Sequence, residues 1–287
     1  SNGIYEPPKK WWDLQIELNK ARSIKNNKTI DENVNDLDNL LHEVISEQMY
    51  SDVPLGGLLS GGIDSSLITS IMQSVNTNSI KTFSVGFIDK NYDESPYSRY
   101  IANYLNTDHT EVLLKPDDAL DIVPKLSKIY DEPFADSSQI PTTLICEVAR
   151  KHVKVALTGD AGDEIFCGYN RYIWVKQIWK MLKNFPISLR KLVSHSLLKF
   201  PEDKWETIFL VLKNLLLNRY FISRPGEKFI KLLQVLDSKS EEEIYYKLIS
   251  QFKNSLPLSN SILEPVILQN NSKNWPSNFE FHEKMMY

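Results

Sequence analysis

The 287-residue chain has two cysteines, Cys146 and Cys167. They are too far apart for a C-x-x-C metal or redox pair, and two thiols do not staple a chain of this length, so a reducing, cytoplasmic setting is expected. Long apolar runs are also missing: none approaches the roughly 20 residues of a membrane span. The opening Ser1-Asn2-Gly3 lacks the charged and apolar regions of a secretion signal. There is no excess of positive charge either, with 33 Lys and Arg against 37 Asp and Glu and a net charge of -4, which gives no reason to expect nucleic acid as a partner. No internal repeat is found. What remains is an ordinary globular composition, 42% hydrophobic and 24% charged, long enough to bury a real core.

Hydrophobic spacing divides the chain into an entry segment (1–30), an α/β region (31–175), a helical region (176–255) and a loop-rich end (256–287). The entry segment passes Pro7-Pro8 to Trp12 without periodicity. Leu37, Leu40, Leu41, Val44 and Ile45 then recur at helical spacing, predicting a helix that ends near Tyr50. Val53–Leu59 reads as a strand, Leu67-Ile68 and Ile71-Met72 as a helix, and Thr82–Phe87 as a second strand. Glu94–Leu105 is a helix with Tyr97, Tyr100, Ile101 and Tyr104 on one face. Glu111–Leu114 is the third strand and Pro116–Tyr130 a helix with proline near its start; a helix over Ile145–His152 leads to the fourth strand, Val153–Leu157. Strands alternating with helices predict a doubly wound parallel sheet covered on both faces. From Trp174 to Phe252 only helices are expected. The last residues, Phe281–Tyr287, read as an amphipathic helix cut short, so the chain is expected to be a fragment.

The string Leu58-Leu59-Ser60-Gly61-Gly62-Ile63-Asp64-Ser65-Ser66-Leu67 carries the chemistry. A strand runs into glycines and hydroxyls, and a helix begins there, so backbone N–H groups and a helix N-terminus converge as in a phosphate site. The glycines admit an anion close to the backbone, while Ser60, Ser65 and Ser66 add donors. Asp64 would repel phosphate directly but could hold a Mg²⁺ that bridges to it. The Walker lysine is lacking, which disfavours a P-loop kinase or GTPase. The plain alternative is a tight turn followed by a helix cap. A second string, Thr158-Gly159-Asp160-Ala161-Gly162-Asp163-Glu164-Ile165-Phe166-Cys167-Gly168-Tyr169, packs three carboxylates into five residues directly after a strand. A divalent cation would offset that charge, and the carboxyl end of a core strand is where open α/β sheets bind ligands. The plain alternative here is a solvated acidic loop.

The first string resembles the pyrophosphate-binding loop of the ATP pyrophosphatase superfamily, whose fold is that of the adenine nucleotide alpha-hydrolases. The second is similar to the Ser-Gly-(Asp/Glu)-Gly-(Ser/Gly)-Asp-Glu-(Leu/Val/Ile)-Phe-Gly-Gly-Tyr signature of the asparagine synthetase family. Lys81–Phe87, Tyr92-Asp93-Glu94 and Tyr130–Asp136 extend the likeness, which covers residues 30–175 well and the helical remainder weakly. The resemblance implies that ATP is cleaved between its α- and β-phosphates to form an acyl-adenylate. It implies that Asp64 and Asp163 hold Mg²⁺, and that Ser60, Gly61, Gly62, Ser65 and Ser66 cradle pyrophosphate. Leu59 and Val85 would contact adenine, Thr158 and Gly159 the nucleotide, and Asp160 and Glu164 the substrate or the ammonia step. Three departures stand out: Thr158 where Ser is common, Asp160 where some relatives have Glu, and Cys167 where Gly is common. Cys167 reads as an inert thiol rather than a nucleophile.

The activity so implied is amidation of a carboxylate, aspartate before a sugar uronate, with AMP and pyrophosphate released. In the family, ammonia comes from an N-terminal glutaminase domain whose nucleophile is a terminal cysteine, and a later Asp-Arg helix and lysine close the site; neither is matched here. A homodimer of the full-length enzyme fits the resemblance. A tRNA-modifying or thiolating pyrophosphatase is disfavoured by the missing cysteine pairs and basic surface, and a nucleotide-binding fragment without activity stays open.

Overall fold

A computed structural model describes residues 8–24, 27–90, 93–132, 136–215, 225–250 and 280–286. Its contacts divide the chain into two compact units, Ser1–Gly162 and Asp163–Tyr287.

The first unit is built on four parallel strands, β1 (Leu55–Leu58), β2 (Lys81–Phe87), β3 (Asp108–Leu114) and β4 (Val155–Leu157), in the order β3-β2-β1-β4. Leu55 pairs with Val155 on one side of β1, and Gly56 with Lys81 on the other. The chain winds outward from β1 to β3 and then returns to place β4 on the opposite edge. The sheet therefore reverses its winding between β1 and β4, the position at which open α/β sheets bind ligands beyond the carboxyl ends of their strands.

Helices α1 (Leu14–Ser23), α2 (Ile30–Met49), α3 (Ile63–Ser74), α4 (Ser95–Leu105), α5 (Pro116–Ile129) and α6 (Gln139–Ala149) complete this unit. Local chemistry sets several of their ends. Thr29 and Glu32 form a reciprocal capping box at the start of α2, and Asn106 ends α4 in the left-handed conformation. Ile45 of α2 packs against Ile71 and Met72 of α3 and Ile80, while Phe83 of β2 joins Ala149 and Val153.

Two features depart from the sequence reading. α1 lies in the entry segment beyond Trp12, where the sequence reading named no element, because its helix signal comes from i,i+3 pairs such as Lys20 with Glu17 rather than from an apolar stripe. The tyrosine face of α4 points outward: Tyr97, Tyr100 and Tyr104 are 67%, 69% and 78% exposed, while Ser95, Ser98 and Ala102 are buried. Small residues are required on the inner face. A Cβ on Gly61 would stand 2.6 Å from the Ser98 nitrogen, and one on Gly86 would stand 3.1 Å from the Ser95 Cβ. α4 is thus drawn against the backbone too closely for aromatic rings to intervene.

The second unit contains α7 (Gly162–Ile165, bridging the boundary), α8 (Asn170–Leu182), α9 (Ile187–Leu197), α10 (Glu202–Leu215), α11 (Pro225–Val235), α12 (Glu241–Ile249) and α13 (Phe281–Met286). Tyr172, Val175, Leu182, Val235, Ile244, Tyr245 and Met285 form its core. Arg190, buried on α9, donates to the carbonyls of Phe185, Leu236 and Ser238, so a cation satisfies the C-terminal end of α11. Among the described residues no strand occurs after Leu157, as expected, and no helix is long and apolar enough to cross a membrane. The loop-rich reading of residues 256–279 lies outside the described residues.

Candidate functional site

The site grows from the end of β1. Leu59 continues the strand by donating its amide to the Phe83 carbonyl at 2.8 Å, and its side chain is fully buried. What Leu59 can offer a ligand is therefore backbone. Val85, half-buried, sits two residues beyond Phe83 on β2, paired with Val112 in the ladder.

Beyond Leu59 the chain turns sharply. Gly61 has φ 84°, which an L side chain rarely adopts, and it lies against Tyr97 and Ser98 of α4. Ser65 organises the turn from within the first turn of α3. Its Oγ accepts from the Ser60 amide at 3.2 Å, shares a 2.8 Å hydrogen bond with the Ser60 Oγ, and lies 3.3 Å from the Gly62 carbonyl. The Gly62 amide donates to the Ser60 Oγ at 3.2 Å. One buried serine thus fixes the loop. Gly62 is the N-cap of α3 and supplies no side chain, so the first-turn amides face out of the helix without a capping acceptor. The Ser66 Oγ is buried and has no hydrogen-bond partner. An orphaned hydroxyl beside an uncapped helix start fits an anion that would satisfy both.

The second loop leaves β4 beside the first. A Cβ on Gly159 would stand 2.6 Å from the Ser65 nitrogen, and one on Gly162 would stand 2.5 Å from the Asp64 carboxyl carbon. Backbone stripped of side chains is what lets the two loops touch. Asp64, Ser65, Gly159 and Gly162 are therefore brought together. Thr158 is half-buried, and its Oγ1 accepts from the Asp160 amide at 3.2 Å, while Asp160 itself is exposed. Asp163 and Glu164 follow at once but belong to the second unit. There the Glu164 carboxylate accepts a 2.7 Å hydrogen bond from the Tyr169 hydroxyl. That bond, reinforced by partial burial, holds the Tyr169 phenol above its ordinary pKa. Burial likewise raises the Cys167 thiol, which agrees with an inert cysteine. Among the described residues, no cluster of three or more His, Cys, Asp or Glu side chains forms a metal cage. The Asp64 carboxylate lies against Gly162 beside the β1–α3 turn, and Mg²⁺ can be held by one or two carboxylates when waters and phosphate oxygens supply its other ligands.

Three features escaped the sequence reading. Ala161 and Cys167 have φ 70° and 57°. Both occupy positions where the signature has glycine, and the signature itself could have flagged Ala161. Asp93 closes the neighbouring turn: its carboxylate accepts from the Phe87 and Ser95 amides, both at 3.1 Å, and hydrogen bonds from Ser95 and Phe87 hold it below the usual carboxylate range. Pro133, Phe134, Ala135 and Tyr92, part of the extended likeness, lie outside the described residues.

The sequence profile described as "Asparagine synthase" matches residues 36–285. A protein of Methanocaldococcus jannaschii provisionally named asparagine synthetase [glutamine-hydrolyzing] 2 is 44% identical over 135 residues, 47% of this chain and 26% of its own length. Asparagine synthetase [glutamine-hydrolyzing] 1 of Bacillus subtilis is 35% identical over 172 residues, 60% of this chain and 27% of its own length. The matched region thus spans about a quarter of either relative. Among solved structures, an NH3-dependent NAD synthetase from Campylobacter jejuni aligns with TM-score 0.35 and 12% identity over 74% of this chain and 95% of its own. With the family profile running from α2 to α13, the chain belongs to the asparagine synthase family.

Proposed function

We propose that the chain binds ATP with Mg²⁺ at the β1–α3 and β4–α7 loops and activates a carboxylate, most simply that of aspartate, as an acyl-adenylate that ammonia then converts to an amide. The observation that supports this best is the meeting of the two loops at the winding reversal of the sheet, where the start of α3 is uncapped and the Ser66 hydroxyl in its first turns is buried without a partner.

In this reading Ser60, Gly61, Gly62, Ser65 and Ser66 hold the pyrophosphate through backbone amides and hydroxyls, and those donors take up the charge that develops on it as it leaves. Asp64 and Asp163 hold the metal, which when bound neutralises phosphate charge and aligns the nucleotide. Leu59, through its backbone, and Val85 line the adenine, and Thr158 and Gly159 steady the nucleotide with hydroxyl and backbone groups. Asp160 and Glu164 orient the acceptor and the incoming amine. Ammonia comes from a glutamine-hydrolysing partner domain, as the names of the relatives suggest. The setting is the cytoplasm.

The direct test is calorimetry of ATP·Mg²⁺ binding, with Asp64→Ala expected to weaken it by tenfold or more; equal affinity in the variant removes Asp64 from the site. AMP release with ammonium and either aspartate or a hexuronate then assigns the acceptor. A further comparison sets this chain against one extended at both ends, in which turnover should rise more than affinity, because transition-state charge needs every donor while ground-state binding needs only some. ATP binding without AMP release under any condition would favour a nucleotide-binding role alone.

A further inference from the structure

We propose that Tyr169 is a positioning residue: its hydroxyl fixes the Glu164 carboxylate in the orientation used by the amide-forming step, an inference that rests on the function proposed above. Glu164 is exposed on a four-residue helix, and a glutamate there would sample many rotamers without a partner.

The backbone supplies that partner through a helix-ending turn. After α7, Cys167 takes the left-handed conformation, and the Gly168 amide donates to the Asp163 carbonyl at 2.9 Å, the six-to-one bond of a Schellman turn. Any side chain at position 168 would collide with Asp163. The reversal sends the chain back over α7 and makes Tyr169 the N-cap residue of α8. From there its hydroxyl reaches the Glu164 Oε1 at 2.7 Å, a charge-assisted distance.

The ring is anchored on its other sides. It meets Tyr172 edge-on, with centroids 5.7 Å apart at 81°, and Tyr172 is 5% exposed within the core of the second unit. The Arg171 guanidinium lies 3.6 Å from the centre of the Tyr169 ring, and its Nε is buried without a hydrogen-bond partner. The same guanidinium hydrogen-bonds the Tyr172 side chain, so it ties the Tyr169 ring face to the core tyrosine. Core, ring, hydroxyl and carboxylate therefore form one line of support, in which Tyr169 converts packing into the aim of a charged side chain. Its phenol, held above the ordinary range mainly by Glu164 itself, stays a donor across neutral pH, while the nearby Arg171 charge acts in the opposite direction and Asp163 in the same one.

Tyr169→Phe keeps the ring and removes only the hydroxyl, so it separates aiming from packing. It should leave ATP·Mg²⁺ affinity and acceptor KM within about twofold and lower kcat about tenfold. Made in a Glu164→Gln background, it should cost nothing further, since the two side chains act as one unit. Unchanged kcat, or losses that simply multiply in the double variant, would overturn the proposal and leave the proposed function standing. If the wild-type chain makes no carboxylate-dependent AMP, the function falls and the positioning role falls with it. Carbon-13 NMR of ring-labelled tyrosine reads the pair without turnover and without altering Tyr169: its line should titrate above ordinary tyrosine in the wild type and move down in Glu164→Gln. A line in the ordinary range in both overturns the pairing even if Tyr169→Phe does not fold.

Discussion

The two loops that meet at the end of the sheet solve the same steric problem with different residues. In the β1–α3 loop the left-handed position is filled by glycine, Gly61, and the turn is closed internally by Ser60 and Ser65. In the loop after β4 the left-handed position carries a side chain, Ala161, and Cys167 repeats this just after α7, each at a cost of about 1–2 kcal/mol relative to an unstrained backbone. The first loop is relaxed and self-bonded; the second is strained and held by its neighbours. A loop with the proposed phosphate-binding task must present its donors in one fixed arrangement before ligand arrives, whereas a segment without that task can carry strain.

Importing strain into the first loop should have the largest effect. Gly61→Ala forces an alanine to φ 84° with its Cβ 2.6 Å from the Ser98 nitrogen and is expected to cost about 3 kcal/mol or more, read as a fall in the urea midpoint. A shift below about 1 kcal/mol would mean that the loop is not held against α4. Removing the bonds that relax the loop comes next. Ser65→Ala leaves the Ser60 amide without its partner and should cost about 1–3 kcal/mol while weakening ATP binding more than thermal stability suggests; a variant with full affinity would show that the cradle forms without its internal serine. In the second loop the sign reverses. Ala161→Gly and Cys167→Gly should each stabilise by about 0.5–1 kcal/mol, the relief of strain outweighing the added freedom of the unfolded chain. Destabilisation by either glycine would show that the loop is unstrained and erase the contrast.

The smallest effect lies away from both loops. His109 on β3 bonds the Thr82 hydroxyl through Nδ1 at 2.9 Å and the Ser84 hydroxyl through Nε2 at 3.1 Å, with Thr107, Arg99 and Glu111 around it. Burial lowers its pKa from the usual 6.5, against the pull of Glu111. The folded state then binds its proton at a lower pH than the unfolded chain does. The stability His109 lends is present above about pH 6.5 and lost as pH falls through the folded value. Replacing it with Gln should flatten stability against pH below 6.5; an unchanged slope would assign the acid sensitivity to carboxylates instead.

Much of this was legible in the sequence because strands and glycine-rich turns leave local marks. Leu58 to Leu67 shows the strand, turn and helix in order, and the parallel sheet follows from the alternation. The direction of α4 was not legible, because its three tyrosines form the more apolar stripe and only the close approach of Gly61 and Gly86 demands small residues inward. The Tyr169–Glu164 bond was hidden for a related reason: i,i+5 neighbours meet only when a left-handed residue reverses the chain, and cysteine does not announce one.

The position of β1 carries a consequence for how the molecule comes into being. Its first residue, Leu55, is paired with Val155, a partner that leaves the ribosome a hundred residues later. The β1–α3 turn, the cradle in the proposed function, sits at the end of that pairing and cannot be completed by its own stretch of chain, so loop closure across the whole first unit precedes it. Under the proposed function, nucleotide can then stabilise only chains that have already finished this unit. During synthesis it acts as a late latch on a completed sheet, with no grip on the partly made one.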